Sequence, residues 1–189
     1  MAESMKKVRL GECLLMIKNG AVIKQTKEGK GLPITRIETL SNNQFNRNRM
    51  GYADIFSTES LEEYILEDGD LIMSHINSRE FLGRTVIYEK LENETIIHGM
   101  NVLRIKTDPL KLLPYYAYYL FQTEYFKKLI QGIRKDAIGQ SSIAISDISN
   151  LLIEIPNINI QERRLQILRR IDKKIAINRE INRNLYLSA

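Results

Sequence analysis

From Gln161 to the last residue the sequence contains neither glycine nor proline, and its apolar residues recur at helical spacing, so few folds are open to this segment. Leu168, Ile171, Ile175, Asn178, Asn182 and Leu185 fall at alternating steps of three and four residues, flanked by Ile167 and Ile181. That is the seam of a two-helix coiled coil. Upstream, Asn159 and Glu162 stand three residues apart and predict a capping box, with Pro156 just outside the helix. A helix over Ile160 to Leu187 would be roughly 42 Å long at ~1.5 Å per residue. A domain of the preceding ~160 residues has a radius of gyration of roughly 15 Å, so part of the helix should project beyond it. A projecting apolar seam needs a second helix, and no other segment offers one of matching length; the partner is expected to be another chain. Asn178 and Asn182 fit two arrangements, pairing across the seam to fix register or exposure at a fraying end.

The preceding residues read differently. Leu32 to Leu40, the run around the turn Asp68-Gly69-Asp70, Gly83 to Leu91 and Glu94 to Lys106 have strand-like apolar content between turn signals, including Asn19-Gly20. From Asp108 to Ile133 the spacing becomes helical: Asp108 can cap one turn, Pro114 can open the next, and Tyr118, Leu120, Phe121, Tyr125, Phe126, Leu129 and Ile130 form a candidate buried stripe. Ile143 to Pro156 returns to strand, with a helical turn around Ser146 to Asn150. The expected fold class is α+β: a β-rich globular domain with packed helices over residues 1–156, then a long coiled-coil-type helix over 157–189.

Charge is segregated along this chain. Its net charge is +5, and the segment from Gln161 onward holds eight bases against three acids, so the remainder is neutral. Within that remainder Gly51 to Ile72 carries seven acids and no base. Such segregation allows a basic face suited to a polyanion, or simply clustered solvated charge.

Several function classes drop out. "CLLMI" at Cys13 to Ile17 is too short for a signal peptide, and no run approaches the roughly 20 apolar residues of a membrane span, so a cytoplasmic protein is expected. The single cysteine can form no internal disulfide, and with only His75 and His98 it builds no zinc site; core filling is the expected role of Cys13. Glycine-rich phosphate loops and nucleophile elbows are absent. Glu28 and Lys30 have the acid-x-Lys spacing of many nucleases but lack a preceding metal-binding Asp. No catalytic residue, metal site or cofactor is expected on this chain.

The order of elements resembles the specificity subunit of type I restriction-modification systems. "LGE" at Leu10, "GLPITRI" at Gly31, "LEDGDLIMS" at Leu66 and above all "GQSSIAISDISNLLIEIPNINIQE" from Gly139 to Glu162 carry the likeness, which covers nearly the whole chain. Family members usually hold two target recognition domains and two spacer helices in one chain about twice as long; this sequence has one of each and looks like a half subunit. The resemblance implies sequence-specific binding of double-stranded DNA, with each recognition domain reading half of an interrupted site. It also implies docking to methyltransferase and restriction/translocase subunits, which would carry S-adenosylmethionine and ATP. Two copies joined as a homodimer through Leu168, Ile171, Ile175, Asn178, Asn182 and Leu185 would read an inverted repeat. The alternative is a non-catalytic interaction module that uses the same helix to join another coiled-coil protein.

Base readout favours Arg or Lys for guanine, Asn or Gln for adenine, and small hydroxyls on loops that can enter the major groove. Three stretches offer them: Lys24, Lys27, Lys30 and Arg36; Ser74, Asn77, Ser78 and Arg79; and Arg134, Lys135, Gly139, Gln140, Ser141 and Ser142. The last is the strongest candidate, because Gly139 lets backbone approach DNA while Arg134 and Lys135 can anchor phosphates. Arg47 and Arg49 are weaker candidates in a polar loop.

Overall fold

A computed structural model describes residues 5–26 and 29–187 of the chain. In chain order, β1 (Met5–Arg9) passes through a 3-10 turn into β2 (Leu14–Asn19). Five short strands follow: β3 (Gln25–Thr26), β4 (Pro33–Ile34), β5 (Leu40–Ser41), β6 (Gln44–Phe45) and β7 (Gly51–Ala53). Next come β8 (Leu71–Ser74), β9 (Ile76–Asn77), β10 (Thr85–Ile87) and β11 (Val102–Thr107). Helices α1 (Pro114–Gln122) and α2 (Glu124–Ile133) precede a hairpin of β12 (Lys135–Ala137) and β13 (Gln140–Ser142). α3 (Ile145–Ser149), β14 (Leu152–Pro156) and the long α4 (Ile158–Leu187) come last. This is the expected α+β architecture, β-rich with packed helices and a long helix after it.

The central sheet has the antiparallel order β10-β8-β11-β2. β8 reads Leu-Ile-Met-Ser without a polar alternation, and all four residues are buried, so both faces of the sheet are covered. Successive side chains point to opposite faces. Leu71 and Met73 therefore join Leu103 and Ile105 in the larger core, backed by α1 and α2, while Ile72 joins Val86, Tyr88 and Val102 in the second. Cys13 is buried in the larger core, as expected of core filling.

The helical stretch differs from expectation in one respect. Thr123 adopts an extended backbone and its hydroxyl accepts from Phe126 N at 3.2 Å, so one helix ends and a second begins. The break folds Phe121 onto Phe126, with ring centroids 4.1 Å apart. It also turns Tyr125 outward and buries Tyr116 and Ala117 in its place. Pro114 opens α1, and Asp108 Oδ1 accepts from Leu110 N at 3.0 Å, both as expected.

Asn19-Gly20 is not a tight turn. A Cβ on Gly20 would fall 2.1 Å from the Gly99 carbonyl oxygen, and Ala21 N donates to His98 O at 2.8 Å, so the glycine serves a close backbone approach. Three of the seven acids in the acidic stretch pair with the sheet's bases. Lys18 bonds Glu63, Lys106 bonds Glu67, and buried Arg104 reaches Asp70 at 2.6 Å and Glu67 at 2.9 Å.

α4 starts two residues earlier than its sequence pattern suggested. Because Pro156 still belongs to β14, the cap falls on Asn157, whose Oδ1 accepts from Ile160 N at 3.1 Å; Asn159 is already inside the first turn. The helix then lies along α1, where Arg164 Nη1 donates to Tyr116 OH at 3.0 Å, Arg169 stacks over Tyr115 at 4.3 Å, and Tyr119 OH donates to Asp172. Along it Ile171, Ile175 and Ile181 remain about half exposed, and Ile175 borders the cleft between α4 and α1.

Candidate nucleic-acid interface

Two of the three candidate stretches, some sixty residues apart in sequence, meet as neighbouring strands. β13 pairs antiparallel with β9, bringing Ser141 opposite Asn77 and Ser142 opposite Ile76. On its other edge β13 pairs with β12, so β12, β13 and β9 form one small sheet. Ala137 faces Gln140 across a two-residue turn of Ile138 and Gly139. Gly139 has φ of +85°, the left-handed conformation that glycine adopts without steric cost.

The hairpin is braced from below. Asp136 accepts from Arg134 Nε at 2.9 Å and from Ser141 Oγ at 2.7 Å, and Arg134 Nη1 also donates to Gln131 Oε1 at 2.7 Å. Arg134 holds the Asp136 carboxyl below its usual range, with Ser141 adding to the effect. Arg134 and Ser141 thus fix the hairpin's shape, while Gln140 and Lys135 stay exposed on it, Lys135 3.6 Å from Asp147. At β9, Asn77 Nδ2 donates to Ser74 Oγ at 3.1 Å and Asn77 Oδ1 accepts from Ser78 N at 2.8 Å. Ser74 is buried and orients Asn77 from beneath; Ser78 and Arg79 are exposed.

Beside this sheet lies a cleft of about 650 Å³, lined by Gln25, Arg36, Arg49, Asn77, Arg84 and Asn101 among others. Three guanidinium groups face it, offset by Glu38, which lies 3.4 Å from Arg36. The Arg84 guanidinium lies over the Phe81 ring, 4.1 Å from its centroid, and its Nη1 donates to Leu40 O at 3.3 Å. The planar guanidinium presents its donors in one plane, the geometry that meets a guanine edge or a phosphate in two hydrogen bonds. The first stretch contributes Arg36 to the cleft, and Lys24 and Lys30 are exposed; Lys27 and Glu28 lie outside the described residues.

Arg47, a weaker candidate, is tied down by its neighbours. It forms an ion pair with Glu94 and lies over the rings of Phe45 and Tyr88, tying the β5–β6 hairpin to the segment after β10. Among the described residues no group of three or more His, Cys, Asp or Glu could hold a metal ion. The surface offers hydrogen-bond donors, amides and positive charge.

α4 carries the residues expected at a helix seam. Ile171 and Ile175 are 48% and 42% exposed, Asn178 and Asn182 are exposed, and Leu168 is half-buried. Ile167, at 62%, widens the apolar strip. The side chain of Leu185 lies outside the described residues.

Residues 2–186 match the model of the type I restriction modification DNA specificity domain. The chain belongs to this family. It is 36% identical over 192 residues to the putative type I restriction enzyme MjaX specificity subunit of Methanocaldococcus jannaschii, covering 95% of this chain and 45% of that protein. It is 25% identical over 185 residues to the type I restriction enzyme EcoKI specificity subunit of Escherichia coli, covering 95% of this chain and 39% of that one. The chain therefore spans less than half the length of either relative. The crystal structure of a type I restriction-modification S subunit from M. genitalium shares the fold, with a TM-score of 0.63 at 18% identity over 93% of this chain and 41% of that one.

Within this specificity domain, sequence reasoning missed Gln25, Arg84 and Asn101 as lining residues of the cleft. They are scattered along the chain and meet only when β3, the turn before β10 and the turn before β11 close around Asn77. A signal for Arg84 was present in its spacing three residues after Phe81, which permits stacking across a turn. No helix among the described residues is long and apolar enough to cross a membrane.

Proposed function

We propose that this chain is a DNA-reading specificity subunit that recognises one half of an interrupted site. One observation carries the reading: β9 and β13 join the two polar stretches into a single small sheet, with the arginine-lined cleft next to it. Amides, hydroxyls and planar guanidinium groups are the side chains that distinguish base edges in the major groove. The family, and relatives named as specificity subunits, support the same assignment.

In this reading the chain performs no chemistry. It docks modification subunits, which bind S-adenosylmethionine, and restriction subunits, which bind ATP, in the cytoplasm. Two copies pack their α4 helices antiparallel and place identical readers at opposite ends. At ~1.5 Å per residue the 30 residues of α4 span roughly 45 Å, and DNA rises ~3.4 Å per base pair, so the unread gap is at most about 13 base pairs. The half-exposed isoleucines of α4 favour this partner, because a two-fold pairing buries the same strip on both copies.

Selection from randomised duplexes by the full chain tests the proposal. Enrichment of an inverted repeat with a fixed gap is the expected result. A pool without sequence preference, even with the modification subunit present, overturns it.

A further inference from the structure

The β12–β13 hairpin ends in a side chain that its own fold does not use. Ile138 is fully exposed, at 105%. Space around the tip is open: a Cβ added to neighbouring Gly139 would meet nothing within 4 Å. Turn chemistry does not call for it either, since the position before a left-handed glycine favours proline or a small polar residue over a β-branched one. Leaving such a side chain in water forgoes the stabilisation that burying it would bring.

The tip is nonetheless held in place. Ala137 pairs with Gln140, Asp136 receives bonds from both Arg134 and Ser141, and β13 is anchored to β9. Gln140, the first residue after the turn, is exposed beside Ile138. A two-stranded ribbon fits the roughly 12 Å width of the major groove, where glutamine can bond adenine N6 and N7 and an apolar side chain can meet the thymine 5-methyl group.

We propose that the hairpin tip reads an A·T base pair in the major groove, Gln140 taking the adenine edge and Ile138 packing against the thymine methyl. The inference rests on the DNA-reading function proposed above and assigns its ligand chemistry. Ile138 supplies the one contact that separates thymine from uracil, which differ only by that methyl group.

The test uses the full chain and the duplex enriched by selection, with deoxyuridine replacing thymidine one position at a time. One buried methyl contributes about 0.8 kcal/mol, so wild type should bind about fourfold more weakly at one position per half-site, or about fifteenfold with both half-sites substituted. Ile138→Ala should bind the thymine duplex more weakly by a similar factor and be indifferent to uracil there, while Ile138→Val retains most of the discrimination. The variant removes a side chain without packing contacts, so folding is preserved and circular dichroism should be unchanged.

A wild type that selects a site yet ignores uracil at every position overturns this proposal alone. So does a half-site lacking an A·T pair, or an Ile138→Ala chain that keeps the uracil effect. If Ile138→Ala reads DNA normally but no longer co-elutes with the modification subunit, the tip contacts protein and the proposal fails. A wild type with no sequence preference removes both readings.

Discussion

Gln161 Oε1 accepts the backbone N–H of Leu113 at 3.0 Å, and Leu113 is the residue that caps α1. The same side chain donates through Nε2 to Lys111 O at 3.0 Å and Pro156 O at 2.9 Å, and it is fully buried. One amide thus joins the start of α4 to the end of β14 and to the turn before α1. Gln161→Leu keeps the bulk but leaves a donor and two acceptors unsatisfied. At about 1–3 kcal/mol for an unsatisfied buried group, a loss of roughly 3 kcal/mol is expected in urea unfolding. Full stability in Gln161→Leu would show that the amide does not tie the two helices.

The pH dependence of stability should show two successive, adjoining windows. Burial pushes His98, whose Nε2 donates to Val102 O at 2.8 Å, down to about 4 from an ordinary value of 6.5. A base with a lowered folded pKa contributes full stability above its unfolded value and loses it as pH falls from 6.5 towards 4, by at most about 3 kcal/mol. Glu94 is held at about 2, chiefly by Arg47, while Leu91 N and Tyr88 OH also donate to it. Its contribution is complete above the ordinary 4.5 and is lost as pH falls towards 2. Urea midpoints measured across pH 8 to 2.5 should therefore fall in both windows. Replacing His98 by Gln should reduce the upper fall, leaving the part due to His75, which burial also pushes down, and Glu94→Gln should reduce only the lower.

Much of the fold was legible because it rests on local periodicity. The apolar run of β8, Pro114 at the start of α1 and the seam of α4 each declare themselves within a few residues. What was not legible depended on distant partners. Arg47 read as a polar loop residue because Glu94, which fixes it, stands 47 positions away. Asn159 and Glu162 satisfied a capping rule that Asn157 fulfils in fact, because only the pairing of Pro156 with Met5 shows where β14 ends. For the interface, chemistry identified Asn77 and Gln140 separately, while their placement on adjacent strands came only from the fold.

Arg84 should matter to base discrimination more than to general DNA affinity. Its guanidinium is oriented by Phe81 and Leu40 O before DNA arrives, so little ordering is needed to form a bidentate bond. Arg84→Ala is expected to lose about 1–3 kcal/mol of discrimination at one position per half-site. Arg84→Lys should not restore it, because an ammonium cannot form the planar pair. Titrations against the selected duplex and a scrambled one separate the two quantities; equal weakening on both would assign Arg84 to phosphate instead.

The half-exposed strip on α4 is the remaining point where a single change decides between arrangements. Ile171 and Ile175 lie one turn apart on α4, both about half exposed, with Ile175 at the edge of the cleft that Tyr115, Tyr118 and Tyr119 of α1 also line. Aspartate at both positions leaves the core untouched, since neither side chain belongs to it. In an antiparallel two-fold pairing the same substitutions enter the interface twice, adding four carboxylates to a strip that must lose water. The double variant should therefore unfold at nearly the wild-type urea concentration yet sediment as a monomer. Affinity for the full inverted repeat should fall to that for a single half-site, because two linked readers gain from effective concentration and one reader does not. A dimer that survives both aspartates would place the pairing surface elsewhere on the chain.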